Sequence, residues 1–252
     1  MDLSLELNSR GVAFHAAGKR EEALTMFRGA ASVLLYTIGG TSTTEDTKAL
    51  GNDERVKLAT ERLSQFDLDC CNDGDTMADR TAPNEKILLR HGEVEACAFI
   101  FTKALEINAH EESILQLNSN AAHDLLSAIC LYNMGLTHHL MSLESSSDAR
   151  SARVEREQAR ALYSLAFQVM ERNMYVLSAQ HTISQVQMAI LNNLGFLHHE
   201  TGEYDISRAY LDRLARFIMS LAPAADRCHG RERDDFMLNT IILWEPPAAA
   251  SA

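Results

Sequence analysis

The chain has 252 residues, 46% of them hydrophobic, so it can bury a core that needs no disulfide or structural metal. Its 35 acidic and 23 basic residues give a net charge of -12, which disfavours direct binding to nucleic acid or to anionic lipid. Five cysteines without regular spacing argue against a disulfide framework or a zinc site and favour a reducing compartment.

Residues 1–38 predict a pair of helices. Gly11 and Ala23 supply the small side chains that two helices need where they approach most closely. The same role is predicted for Gly135 and Gly195 in the later helix pairs. Gly18 lies between the helices, where a turn with positive φ favours glycine. The first residues are acidic where a secretory signal would be basic, and no apolar run reaches the length of a membrane span. We therefore expect an intracellular protein, with the cytoplasm favoured over the nucleus, and no membrane partner.

The helical pattern is interrupted over residues 39–117. Residues 39–84 are rich in Gly, Ser, Thr, Asp and Asn and predict a mobile polar insertion. Hydroxyl side chains followed by acidic residues at 41–46 fit a phosphorylation site or, more simply, an ordinary polar loop. The adjacent pair Cys70–Cys71 fits a redox or metal role or, more simply, an accidental pair. Residues 85–117 fit either a degenerate repeat helix, which we slightly favour, or a small β-hairpin near 85–107.

Helical periodicity resumes in the second half of the chain. Residues 118–174 predict a second helix pair with an insertion, and residues 180–222 predict a third. A final helix over 226–244 is expected to cap the end of the stack, as repeat proteins require. Its apolar positions are Phe236, Met237, Ile241, Leu243 and Trp244. Residues 245–252 are predicted to be a disordered tail.

The three helix pairs share one pattern, which resembles the tetratricopeptide repeat. In the first pair every characteristic place is filled, by Gly11, Phe14, Gly18, Ala23, Phe27 and Ala30. The third pair keeps Gly195, His198 and Gly202, whereas the second has His138 at a usual tyrosine position and an insertion between its helices. The resemblance covers about 100 residues. It implies an all-α, solenoid-like domain of antiparallel helix hairpins across 1–252.

The resemblance also implies a concave groove lined by four positions of each first helix. Transferred to this chain, these are Leu5, Asn8, Val12, His15, Ile129, Tyr132, Leu136, His139, Ala189, Asn192, Phe196 and His199. A histidine ends each set, and an asparagine or tyrosine lies in its middle. The histidines are interpreted first as packing or solvated residues, then as hydrogen-bonding groups for a peptide backbone, and last as metal ligands.

These features predict a non-enzymatic adaptor that binds a peptide or helix of a partner protein in the groove. No phosphate-binding loop, nucleophile elbow or zinc-protease motif is present, and no cofactor or metal is expected. Some tetratricopeptide proteins bind the acidic carboxyl termini of chaperones through a lysine, an asparagine and further basic residues. These places hold Asn8, Val12, Ala189 and Asn193 here, so acidic carboxyl termini are not expected ligands. Two alternatives stay open: a structural subunit of a larger complex, and a metal or redox protein using the histidines or cysteines.

Overall fold

A computed structural model describes residues 2–39, 99–106, 119–145, 148–172, 181–221 and 226–244. Seven helices account for almost all of these residues, which confirms the predicted all-α class. They are α1 Asp2–Ala16, α2 Arg20–Gly39, α3 Ser119–Glu144, α4 Ala149–Arg172, α5 His181–Glu200, α6 Tyr204–Ser220 and α7 Asp226–Leu243. The predicted polar insertion, the pair Cys70–Cys71 and the predicted tail lie outside the described residues.

The helices pack in chain order. Hairpins form between α1 and α2, between α3 and α4, and between α5 and α6, and each hairpin contacts the next helix along the chain. In addition, α1 contacts α3, α3 contacts α5, and α5 contacts α7. We call these four the front helices. Among the described residues, no helix combines the length and the apolar character needed to cross a membrane.

Three glycines occupy the same place in the three hairpins. A Cβ atom added to Gly11 would lie 2.5 Å from Cε1 of Phe27 on the second helix of its hairpin. The equivalent distances are 2.9 Å from Gly135 to the Tyr163 ring and 2.8 Å from Gly195 to Leu211 Cδ2. Real Cβ atoms do not come so close to a neighbour. The prediction that these glycines mark the closest helix approach is confirmed, and the group filling the space is a large side chain.

Glycines also close two of the turns. Gly18 and Gly202 have φ values of 73° and 77°, as predicted from their positions. The backbone N–H of Lys19 donates to Phe14 at 3.0 Å, and the N–H of Glu203 donates to His198 at 2.9 Å. This six-residue hydrogen bond satisfies a carbonyl at the helix end and reverses the chain. The two turns therefore orient the first and third hairpins in the same way.

Both predictions made for this region are wrong for residues 101–106, which form neither a helix nor a β-hairpin. The cause is tertiary: backbone groups of Phe101 and Leu105 are hydrogen-bonded to side chains of the front helices, so they are not available to a helix or to a second strand. Residues 85–98 lie outside the described part of the chain.

The last helix is confirmed, but not every apolar residue predicted for its buried side is buried. Phe236 and Leu243 are buried, whereas Ile241 is 64% exposed and Trp244 is 44% exposed. The helix packs against α5 and α6. Its buried side includes Asn239, a polar residue whose partner lies in residues 99–106.

The glycine packing gives a stability prediction. We expect Gly11→Ala to lower the free energy of unfolding by about 1–3 kcal/mol, because overpacking against Phe27 outweighs the roughly 1 kcal/mol that alanine contributes to helix stability. Urea denaturation measures the change. In a Phe27→Leu background the same substitution should cost much less, and an equal cost in both backgrounds would contradict the proposed contact.

Candidate functional site

Residues 99–106 cross the front helices in the direction opposite to their order in the chain. At one end, the carbonyl of Phe99 accepts hydrogen bonds from Asn192 on α5 (2.8 Å) and Asn239 on α7 (3.1 Å). At the other end, the carbonyl of Leu105 accepts from Asn8 on α1 (3.1 Å) and from a second asparagine, on α3. All four front helices therefore contact this segment through asparagine side chains.

Two asparagines bind both backbone groups of one residue. Asn133 Oδ1 accepts from the N–H of Leu105 at 2.8 Å, and its Nδ2 donates to the carbonyl of the same residue at 2.9 Å. Asn193 makes the same pair of bonds with Phe101, at 2.9 Å and 3.2 Å. The N–H and C=O of one residue point to the same side only in extended backbone. These two amides thus recognise an extended chain without contacting its side chains.

The spacing of the contacts has the period of an extended strand. Phe99, Phe101 and Leu105 turn their carbonyls towards the front helices, and each of these carbonyls accepts two hydrogen bonds. The second donor to Phe101 is the hydroxyl of Tyr132, at 2.9 Å. Contacts at odd-numbered residues are expected when alternate residues of an extended chain face one side. Thr102 departs from this alternation, because its carbonyl also meets a front helix, at Nε2 of His15 on α1 (3.3 Å).

The asparagines are held by one another and by a tyrosine. We call Asn8, Asn133, Asn192, Asn193 and Asn239 the asparagine cluster. Within it, one bond of 2.9 Å joins Asn133 to Asn8, and another joins Asn239 to Asn192. The Nδ2 of Asn193 also donates to the hydroxyl of Tyr163 at 3.1 Å. Burial raises the pKa of Tyr163, so this hydroxyl is neutral. Because these bonds fix the amides, the cluster presents them to the backbone of residues 99–106 in fixed positions.

Side chains of the segment add an apolar contribution. The ring of Phe99 stacks on Phe196 with centroids 5.9 Å apart, and the ring of Phe101 lies 5.0 Å from that of Phe236. Three further side chains of the segment are buried, and three are exposed to solvent. The buried ones are those of Ile100, Ala104 and Leu105, and the exposed ones are those of Thr102, Lys103 and Glu106. Aromatic and aliphatic burial therefore accompanies the backbone hydrogen bonds.

The structure brings some of the predicted groove residues to the segment and leaves others in different surroundings. Hydrogen bonds or ring contacts to the segment are made by Asn8, His15, Tyr132, Asn192 and Phe196. Ile129, Leu136 and Ala189 are fully buried core residues, and Leu5 and Val12 are half-buried at the edge of the core.

The three histidines that end the predicted sets of groove positions lie in different surroundings. His15 reaches the segment, whereas His139 is fully buried between Phe196 and Tyr163 and hydrogen-bonds to Glu200 at 3.3 Å. His199 lies edge-on to Tyr204, where α5 turns into α6. The neighbouring histidines pair with glutamates: His138 with Glu155 at 2.6 Å and His198 with Glu203 at 2.5 Å.

Sequence reasoning did not include Asn133, Asn193 and Asn239 among the groove residues. Two of them could have been found from the sequence. Asn133 and Asn193 occupy the same place in two aligned helices, and both precede the shared glycine by two residues. No alignment marked Asn239, since α7 has no counterpart among the three aligned first helices. The bound segment itself was not foreseen, because nothing local in residues 99–106 specifies that contact.

Metal chemistry finds little support in the described part of the chain. It contains no group of three or more His, Cys, Asp or Glu side chains arranged to hold an ion. Cys130 is a free, buried thiol whose pKa is raised to about 12 by burial, so it is not a reactive thiolate.

Comparisons with known proteins add no identification. No protein-family model matches the chain, and no match was found among curated proteins or solved structures.

The hydrogen bonds of Asn133 and Asn193 predict which backbone N–H each side chain protects from exchange with solvent. We expect Asn133→Ala to increase hydrogen exchange at the Leu105 amide by tenfold or more, because removing one partner of a buried hydrogen bond costs about 1–3 kcal/mol. Asn193→Ala should act first on the Phe101 amide. Exchange measured residue by residue gives the comparison. Unchanged protection of Leu105 in Asn133→Ala would contradict the assignment.

His15 gives a pH prediction. Burial lowers its pKa below 6.5, and the Arg20 guanidinium lowers it further, while the Thr102 carbonyl and Glu144 act in the opposite direction. The folded chain therefore holds His15 neutral where the unfolded chain is already protonated, and its contribution to stability falls as the pH drops below about 6.5. Denaturation of wild type and His15→Gln across pH 7.5 to 5 tests this. The wild type should lose stability relative to the variant on acidification; a constant difference would contradict it.

Proposed function

We propose that the chain is a non-enzymatic, tetratricopeptide-like adaptor whose front helices bind an extended peptide of a partner protein. The observation that carries this proposal is the pairing of Asn133 and Asn193 with both backbone groups of Leu105 and Phe101. A peptide of any sequence presents the same N–H and C=O groups. Recognition through them provides affinity, while apolar contacts on either side provide selectivity.

The chemistry of the face favours an extended peptide over other ligands. Its hydrogen-bonding groups are uncharged amides and a phenol, which offer donors and acceptors in the alternation that a backbone requires. A helical partner would have its backbone groups bonded internally and could not use them. The net charge of -12 also disfavours phosphate-bearing ligands.

Recognition of a peptide through its backbone can be tested with peptides selected from a library. A displayed random peptide library would be selected on the wild type and on Phe101→Asp, a variant in which residues 99–106 compete less well for the face. We expect the enriched peptides to lose tenfold or more in affinity for Asn193→Ala. Gln168→Ala is the matched control, because it removes an exposed amide on α4. No enrichment on either protein, or equal affinity for Asn193→Ala, would overturn the proposed function.

The peptides themselves supply a second test that leaves the protein unaltered. N-methylation removes one backbone donor at a time. We expect strong loss of binding, measured by calorimetry, at two positions separated by four residues, as Phe101 and Leu105 are. Methylation at the position between them that matches Thr102 should have a smaller effect, since the described contact there uses the carbonyl. A uniform response along the peptide would contradict recognition by the asparagine pairs.

A second candidate, a structural subunit, is favoured by one surface. Leu238, Ile241, Ile242 and Trp244 are all exposed on or beside α7, with exposures of 44–64%. Grouped exposed apolar side chains commonly mark association surfaces. Light scattering over a range of concentrations would detect self-association, which Ile241→Lys should abolish. Met219→Lys on α6, at another exposed apolar residue, is the control.

A further inference from the structure

We infer that residues 99–106 are an internal ligand that occupies the partner's site, and that the partner peptide has the same pattern of apolar and exposed positions. This inference rests on the proposed function. Its physical basis is that the segment uses every element assigned to peptide recognition: the asparagine cluster, the Tyr132 hydroxyl and two aromatic contacts.

The topology allows the segment to leave without unfolding the helices. It lies in the chain between α2 and α3, and these two helices pack directly against each other. Their contact therefore does not depend on the segment. The segment is joined to α2 through residues 40–98 and to α3 through residues 107–118, so it is tethered at both ends. Its departure opens the contacts of one stretch of backbone and leaves the hairpins intact.

The burial pattern of the segment describes the partner. Aromatic residues occupy the places of Phe99 and Phe101, where they meet Phe196 and Phe236. Between and after them, Ile100, Ala104 and Leu105 are buried. The side chains of Thr102, Lys103 and Glu106 are exposed, so we expect these positions of the partner to vary more than the buried ones. The expected ligand is an extended peptide that reads aromatic, aliphatic, aromatic, two variable residues, a small residue and leucine.

Tethering determines how strongly the internal ligand competes. A segment tethered near its site has an effective concentration on the order of 1 mM. A free peptide with the same intrinsic affinity must compete with the segment. Its apparent affinity equals the intrinsic affinity multiplied by the fraction of sites that the segment leaves open. For an intrinsic dissociation constant of about 10 µM, the expected loss is roughly 100-fold.

The experiment compares open and occupied chains with one probe. The probe is a fluorescein-labelled synthetic peptide with the sequence of residues 98–107, and anisotropy measures its binding to full-length protein. Phe101→Asp is expected to weaken the binding of residues 99–106, and it changes no residue of the front helices. Thr102→Asp is the matched control, because it adds the same charge at the exposed neighbouring position. Phe101→Ala/Leu105→Ala is a second opening variant, and circular dichroism verifies that each variant is helical.

We expect the peptide to bind at least one opening variant ten times or more as tightly as it binds wild type or Thr102→Asp. Adding Asn193→Ala to that opening variant should abolish binding. Equal binding to the wild type and to both folded opening variants would overturn the inference. So would failure of the probe to bind any of them when library-selected peptides do bind through Asn193, because the proposed function would then stand without an internal ligand. Loss of helicity in both opening variants would also overturn it, since the segment would then be part of the folded core.

Discussion

The arrangement depends on the need to satisfy buried amides. The side chains of Asn133, Asn192 and Asn193 are fully buried, and Asn8 is nearly so. An amide without a partner in such surroundings costs several kilocalories per mole, so a cluster of amides demands matching groups in fixed positions. A backbone in extended conformation supplies them. With residues 99–106 in place, the cluster is matched by a stretch of extended backbone on the front helices.

Helix packing places those amides. Gly11, Gly135 and Gly195 each allow a large side chain of the second helix to pack against the first helix at the same place in the three hairpins. Asn133 and Asn193 each precede the shared glycine by two residues, so both amides emerge at the same height on adjacent front helices. Asn193 on α5 and Asn133 on α3 bind residues four apart, Phe101 and Leu105. The hairpin glycines thus contribute to the register in which residues 99–106 lie on the front helices.

Much of the fold was predictable, because it is encoded locally. The turn glycines Gly18 and Gly202, the small residues at helix contacts and the helical periodicity all act within a few dozen residues of one another. The site was only partly predictable. Asn8, Tyr132 and Asn192 were predicted from their positions in the aligned helices. The structure of residues 99–106, in contrast, is determined by side chains up to 140 positions away in the sequence. Local propensity allowed a helix or a hairpin there, and long-range hydrogen bonds impose a third conformation.

The proposed internal ligand would also explain how such a face can exist on a folded chain. An empty face would expose Phe196 and Phe236 together with amides ordered to pair with an extended strand, which is the surface that promotes strand addition and aggregation. Covering it with a segment of the same chain satisfies the amides and the aromatic rings in the absence of a partner. The segment matches the face without closing a hairpin of its own, so under the proposed function a partner would replace it contact for contact. Protection of the free chain and selectivity for the partner would then follow from the same set of hydrogen bonds.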